Sequence, residues 1–310
     1  MPVPFLLWGA AALLATTGVV KGIGAMSDFE DAEKLGKNAR RRYDEAREEL
    51  DKDRDQTNTA FEKLGRVKLS LFNEQIKHLV EVIKKSKNAK SVLKDFNVNI
   101  TLEELKQMER LVLKSLEIEK GLGLGAATGA LAAMGAYSGV GTLAAASTGT
   151  MISGLSGAAA TNATLAWLGG GALSAGGFGM AGGAIALGGI VLGPALAIGG
   201  FMMASKAEEA LTQAHAYEAK VDTAIAEMKK LTLALSALRS NAKELSTALK
   251  GVAQRFDAVK VDDDSDAEAF ATMVMVGKGL KNLLDIAIMN DDGAAVPNIK
   301  AKISGSIELS

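Results

Sequence analysis

An uncharged block of sequence constrains this chain more than any other feature. Residues 121–205 contain no Asp, Glu, Lys, Arg or His, and they hold 23 of the chain's 34 glycines. Exposing so long an apolar stretch to water is unfavourable, so the block must lie in a membrane or inside a protein core. We expect a membrane hairpin, because charged sequence ends at Lys120 and resumes at Lys206.

The spacing of the glycines predicts how the block packs. Two parts, 121–146 and 179–204, are long enough to span a bilayer as helices. Their glycines recur every four residues and so share one helix face, where a second backbone can approach closely. The part between them, 147–178, is predicted to be a re-entrant or interfacial hairpin anchored by Trp167. The predicted glycine-zipper residues are Gly121, Gly125, Gly129, Gly135, Gly139, Gly179, Gly183, Gly189 and Gly193.

Charged, amphipathic sequence on both sides of the block predicts an all-α protein with coiled-coil flanks. Residues 206–260 contain heptads whose a and d positions are apolar or small throughout. We expect this helix to pair in antiparallel orientation with a second long helix over 27–87. The seam residues that should carry the pairing are Val221, Met228, Leu231, Leu235, Leu238, Leu245, Leu249, Val252 and Phe256.

Helix starts are predicted from capping boxes, in which a Ser or Thr side chain and a Glu three residues later bond to each other's backbone amides. Residues 27–120 form the first charged helical region, with a turn and a short apolar plug at 88–100. Residues 261–310 form a last amphipathic helix and a tail. The three boxes are Ser27 with Glu30, Thr101 with Glu104, and Ser265 with Glu268.

The first 26 residues are apolar, and Lys21 is the first charge. They predict a membrane helix, although a cleaved signal or a helix packed on the uncharged block would share this composition. Because basic residues favour the cytoplasm, Lys21, Lys120 and Lys206 fit three spans with both coiled-coil regions inside. We therefore expect a bacterial inner-membrane protein.

Reaction chemistry is not indicated. The chain has no cysteine, which excludes disulfides and thiol catalysis, and its 35 basic and 36 acidic residues give no basic face for nucleic acid. The GxGxxG spelling at 177–182 lacks a preceding strand, and the aspartates at 262–266 lack the glycine and glutamate of a calcium loop. His78 is expected to be a surface residue. The three arginines at 40–42 are expected to lie on a solvated helix face, or to form a patch that binds lipid headgroups or a partner. We expect no enzyme, no catalytic residue, no metal and no cofactor.

Part of the block carries a resemblance. The run from Ser147 to Thr150, followed by LSGAAATNATLAWLGGG at 155–171, resembles a recurrent block in bacterial proteins of unassigned function. Those proteins also resemble this chain in having an apolar N-terminal segment and coiled flanks. More remotely, the small-residue block is similar to the interferon-induced 6-16 family of small membrane proteins. The resemblance implies a membrane protein and transfers no catalytic residue.

Three functions fit these features. The first is a membrane-inserting protein that oligomerises through its glycine faces and permeabilises or remodels a bilayer, as helical pore-forming toxins do in outline. The second is a constitutive membrane-anchored coiled-coil scaffold that binds a protein partner. The third is a soluble bundle that shelters the apolar hairpin until it is triggered. All three predict contact with a lipid bilayer, and the first also predicts a homo-oligomer.

Overall fold

The computed structural model describes residues 22–123, 128–136, 207–289 and 294–308. These residues are mostly helical, and within them the only extended pairing is an isolated bridge between Met289 and Ala295. The all-α prediction is therefore confirmed for the described part of the chain.

Eight α-helices and one π-helical turn make up the described residues. In chain order they are α1 (Gly22–Leu71), the π-helical turn (Phe72–Ile76), α2 (Lys77–Lys85), α3 (Ala89–Asp95), α4 (Leu102–Gly123), α5 (Thr128–Ala136), α6 (Ala207–Val259), α7 (Ala267–Leu284) and α8 (Ile299–Glu308). The long helix predicted over 27–87 therefore runs from α1 through the π-helical turn to the end of α2.

The chain divides into two compact units, and each takes part of α1 and part of α6. Unit 1 contains residues 1–48 and 190–229, and unit 2 contains residues 49–189 and 230–310. In the described part of unit 1, Ala32 packs with Ala210 and Ala214, so small side chains let the two helices approach. The Arg42 guanidinium forms ion pairs with Glu218 at 2.9 Å and Asp222 at 2.7 Å.

Arg42 therefore does not stand on a free basic patch, because its guanidinium binds carboxylates of α6. Arg40 and Arg41 pair along their own helix with Asp44 and Glu45. Such exposed pairs four residues apart are typical of a solvated helix face.

Unit 2 contains the larger core. The side chains of the π-helical turn, α2 and the end of α6 meet those of α7, where Gly277 lets Leu79 and Phe256 come close to the α7 backbone. His78 lies in this region, with Nε2 2.8 Å from the Val261 carbonyl oxygen and its ring edge-on to Phe256. His78 therefore links α2 to the segment before α7. The sequence predicted a surface histidine and did not predict this link.

The two long helices run in the same direction within each unit, so the predicted antiparallel pairing is wrong. In unit 2, Arg239 pairs with Asp53, and farther along both helices the Gln75 amide donates to Asp257. In unit 1 the order is the same, because Ala32 packs with Ala210 and Arg42 pairs with Glu218.

The reason for the parallel pairing lies between the long helices. In α4, Glu109 pairs with Lys84, and farther along α4, Glu119 accepts from Asn73, so α4 runs back along the preceding helices. Because α4 reverses the chain direction, α6 can run alongside α1 in the original direction. The heptad pattern of α6 is the same for either orientation and did not distinguish them.

The capping predictions have mixed outcomes. The Thr101–Glu104 box is confirmed, with the Thr101 amide 2.7 Å from the Glu104 carboxylate and the Glu104 amide 3.1 Å from the Thr101 hydroxyl. Ser27 lies inside α1, so it is not a cap. At α7 the cap is Asp266, whose side chain accepts from the Ala269 amide, so the box predicted at Ser265 is wrong by one residue.

Within the residues that the structure describes, no helix is both long enough and apolar enough to cross a membrane.

The contact between Asp53 and Arg239 gives a test of the parallel register. The Arg239 side chain reaches the Asp53 carboxylate at 2.9 Å and the Thr57 hydroxyl at 3.1 Å, and both acidic and basic side chains are largely buried. In a double-mutant cycle of Asp53→Asn and Arg239→Met, we expect a coupling free energy of about 1–2 kcal/mol, measured by chemical denaturation. Arg255→Met on the exposed face is the control and should change stability by less than about 0.5 kcal/mol. Additive effects of the two substitutions would contradict this register.

Candidate functional site

In the described part of unit 2, the backbone of the charged helix α1 directly approaches that of α5, which belongs to the uncharged block. A Cβ atom added at Gly65 would lie 2.7 Å from the Leu131 carbonyl carbon and closer still to its oxygen. A Cβ atom added at Gly135 would lie 2.8 Å from the Phe61 carbonyl carbon in the same way. Each glycine therefore meets the opposite backbone directly, and no other residue type fits at either position.

The order of these contacts shows that α5 runs antiparallel to α1, because Gly65 meets Leu131 while Phe61 meets Gly135. Close backbone approach at small residues is the kind of packing seen between helices that carry glycines on one face. The prediction gave these glycine faces to packing on a neighbouring helix in a membrane oligomer, whereas here Gly135 packs on Phe61 and Gly65 of the charged helix of the same chain. We call this contact the glycine contact, formed by Phe61, Gly65, Leu131 and Gly135.

Three side chains of α5 are known to be buried in unit 2. Leu131 is 0% exposed and Met134 is 1% exposed, as is Ala136 at the end of the helix. The helix is nine residues long and contains only apolar residues, glycine and Thr128. A helix that is apolar on all sides must be covered on all sides, and here part of that cover is α1.

A short segment after α7 closes the end of α5. The last carbonyls of a helix have no partner within the helix. Here the Ala136 carbonyl oxygen accepts from the Ile288 amide at 3.0 Å and from the Met289 amide at 3.1 Å. We call residues 285–289 the strap, because they bind the end of α5 through main-chain atoms.

The strap is itself held by α1 and α6. Lys68 of α1 donates from Nζ to the Ile286 carbonyl oxygen at 3.1 Å. From α6, the Asn241 side-chain amide donates to the carbonyl oxygens of Ile288, at 3.4 Å, and Val296, at 2.9 Å. Residues from α1, α5 and α6 therefore meet at one piece of main chain.

Lys68 is the unusual residue of this site, because its side chain is 0% exposed. Removing its ammonium group from water lowers the pKa of Lys68 from 10.5 to about 7, although the Asp285 carboxylate opposes the shift. Asp285 also pairs with Lys281. A lysine with this pKa changes its protonation state close to neutral pH.

The structure describes three of the nine predicted glycines. Gly121 lies near the end of α4, and Gly129 and Gly135 lie in α5. The remaining predicted residues of the block lie outside the described residues: Gly125, Gly139, Gly179, Gly183, Gly189, Gly193 and Trp167.

The predicted seam residues all lie on the inward face of α6. Leu231 is half-buried, and the other eight are buried. In unit 1 these are Val221 and Met228, and in unit 2 Leu235, Leu238, Leu245, Leu249, Val252 and Phe256.

Neither Gly65 nor Lys68 was identified from the sequence. Of the two, only Lys68 could have been found from the sequence pattern. The apolar face of α1 passes through Leu64 and Leu71, and position 68 falls between them on the same face. A lysine on an apolar face can be recognised from sequence as a candidate buried amine. Gly65 could not be recognised, because the need for a glycine there comes from α5.

Comparison of this chain with protein-family models, with curated proteins and with solved structures finds no match. The resemblances given by the sequence therefore remain expectations, and function has to be argued from the site.

The glycine contact gives a prediction with an internal control. Gly65→Ala or Gly135→Ala would push a methyl group into the facing backbone, so we expect each to lower the free energy of unfolding by about 1–3 kcal/mol. A Cβ atom at Gly251, in the exposed face of α6, meets nothing within 4 Å. Gly251→Ala should therefore raise stability by about 0.5–1 kcal/mol, the usual gain in a helix. Chemical denaturation of the three variants checks this, and equal effects at all three positions would contradict the close contact.

Proposed function

We propose that this protein inserts its uncharged block into a lipid bilayer, oligomerises there and permeabilises or remodels the membrane. In this proposal the described arrangement is the sheltered state, in which the beginning of the block is packed inside a helical core. The supporting observation is the packing of α5, which is buried against α1 through the glycine contact and closed at its end by the strap.

The chemistry of α5 supports a segment that exchanges one apolar environment for another. It has no ionisable side chain, so moving it from a protein core to hydrocarbon leaves no charge to be neutralised. Its own helical hydrogen bonds remain satisfied in either environment. The hydrogen bonds to the Ala136 carbonyl and the glycine contact are the interactions that must be lost, and α1 must then lose its cover at Gly65.

The small-residue surface of α5 supports self-association after release. Gly129 and Gly135 belong to the predicted series of glycines, and removing α5 from α1 would leave Gly135 without its backbone partner. In a bilayer, helices associate through such surfaces because close backbone approach gains dispersion contacts. Assembly in the membrane would then replace the glycine contact by close packing between copies of α5. The flanking coiled-coil helices would lie on the cytoplasmic side.

A reversible lock tests whether α5 must leave the core. The amide of Met289 is 3.1 Å from the Ala136 carbonyl oxygen, which puts the two Cα atoms roughly 6 Å apart, within disulfide range. Because the chain has no cysteine, Ala136→Cys with Met289→Cys introduces one defined pair. We expect the oxidised variant to release no dye from liposomes and the reduced variant to release it at the wild-type rate.

The matched control locks α4 to the π-helical turn and leaves α5 free. The Ser115 hydroxyl donates to the Asn73 side chain, so Asn73→Cys with Ser115→Cys forms the control pair. This variant should release dye whether oxidised or reduced. Full release by the oxidised Ala136–Met289 variant would contradict the sheltered state. Membrane binding by wild-type protein with no release would instead support the scaffold function.

A further inference from the structure

The strap and the buried lysine beneath it form an arrangement that the proposed function does not require. Insertion needs only an apolar segment and a way to leave the core. The structure adds an amine with no exposed surface, placed against the main chain that closes the end of α5. A methionine or leucine at this position would pack on the same apolar face of α1 without the cost of burying a group that can carry charge.

We propose that the strap is a proton-controlled latch, in which neutral Lys68 holds residues 285–289 against the end of α5 and protonation of Lys68 favours release of α5. The inference rests on the proposed function only for its biological use, because the latch itself operates in protein without lipid.

The strap couples Lys68 to α5, because it accepts one hydrogen bond from Lys68 and donates two to the end of α5. Lys68 Nζ binds the Ile286 carbonyl oxygen at 3.1 Å, and the amides of Ile288 and Met289, two and three residues farther on, bind the Ala136 carbonyl oxygen. Lys68 also lies about one helical turn from Gly65, where the backbones of α1 and α5 are in contact. If Lys68 moves towards water, it displaces the strap from the end of α5. The same movement shifts α1 where that helix packs beside the middle of α5.

The charged groups around Lys68 favour this direction of control. The Asp285 carboxylate at the start of the strap attracts the protonated amine and raises its pKa, but it is partly compensated by its pairing with Lys281 of α7. The α6 side chain that binds the strap is Asn241, which does not titrate, and α5 has no ionisable residue. Burial is therefore the larger effect, and the neutral amine is favoured in the closed state.

The sign of the pH effect follows from the two protonation states. Lys68 has a pKa of about 7 when buried, against 10.5 when it is in water. Opening therefore takes up a proton at any pH between these values, and the ratio of open to closed protein rises about tenfold for each unit of decreasing pH. Below about pH 7 both states are protonated, and a further decrease in pH adds nothing from this residue.

Labelling of a single buried cysteine in lipid-free protein measures the opening. Met134→Cys places the thiol in α5, where the native side chain is buried. Its labelling rate is compared at each pH between a Lys68 background and a Lys68→Met background, so the intrinsic reactivity of the thiol cancels. We expect the ratio of the two rates to rise about tenfold per unit as the pH falls from about 10 to 8. A ratio that does not change with pH would overturn the proposal.

Two further variants separate the latch from general stability. Ser115→Cys places the thiol in a buried position of α4, where the native hydroxyl binds Asn73 and Val112, and its ratio between the two backgrounds should stay constant. A parallel rise at Ser115 would show that the whole core opens and would overturn a local latch. Asn241→Ala removes the α6 contact to the strap and should accelerate labelling of Met134→Cys at every pH while keeping the pH dependence. Since no membrane is present, failure of dye release leaves this test unaffected, and failure of this test leaves the dye-release result standing.

Discussion

The backbone contact between α1 and α5 is the constraint on which the rest of unit 2 depends. Ordinary helices pack with their axes about 8–10 Å apart because side chains separate them. At Gly65 and Gly135 no side chain intervenes, and each glycine touches the opposite main chain. This contact brings a helix without any charge against α1, which is rich in charged residues. It lets the start of the uncharged block be buried by protein. The strap then donates hydrogen bonds to the Ala136 carbonyl oxygen at the end of α5, which has no partner within the helix.

The direction of the chain follows from the same region. Because α4 and α5 both run back along the helices that precede them, α6 can pair with α1 in parallel, and the polar contacts of Arg42 and Arg239 fix the register in units 1 and 2. Partly buried arginine–carboxylate pairs contribute modestly to stability, but they disfavour any shift that would leave a charge unpaired. The long helices thus provide a defined surface against which a short apolar helix is held.

Much of this fold could be predicted from the sequence, and the failures have physical causes. Apolar periodicity located the long helices and the buried face of α6, including Leu245 and Leu249, because periodicity reports burial directly. The Thr101–Glu104 cap was predictable because both partners are local. The relative direction of α1 and α6 was not predictable, because apolar a and d positions are equally compatible with parallel and antiparallel pairing. Gly65 was missed because its importance depends on a residue 66 positions away, and Lys68 because its burial depends on residues 285–289, which are distant in sequence.

The proposed function requires α5 to leave a protein core for a bilayer. Its most direct test is a fluorophore on Ala132→Cys, a half-buried position of α5 and then the only cysteine in the chain. Vesicles carrying a quencher in their acyl chains report whether the label enters hydrocarbon. The account predicts unquenched fluorescence before vesicles are added, and quenching that develops together with dye release. Dye release while the label remains unquenched would contradict it.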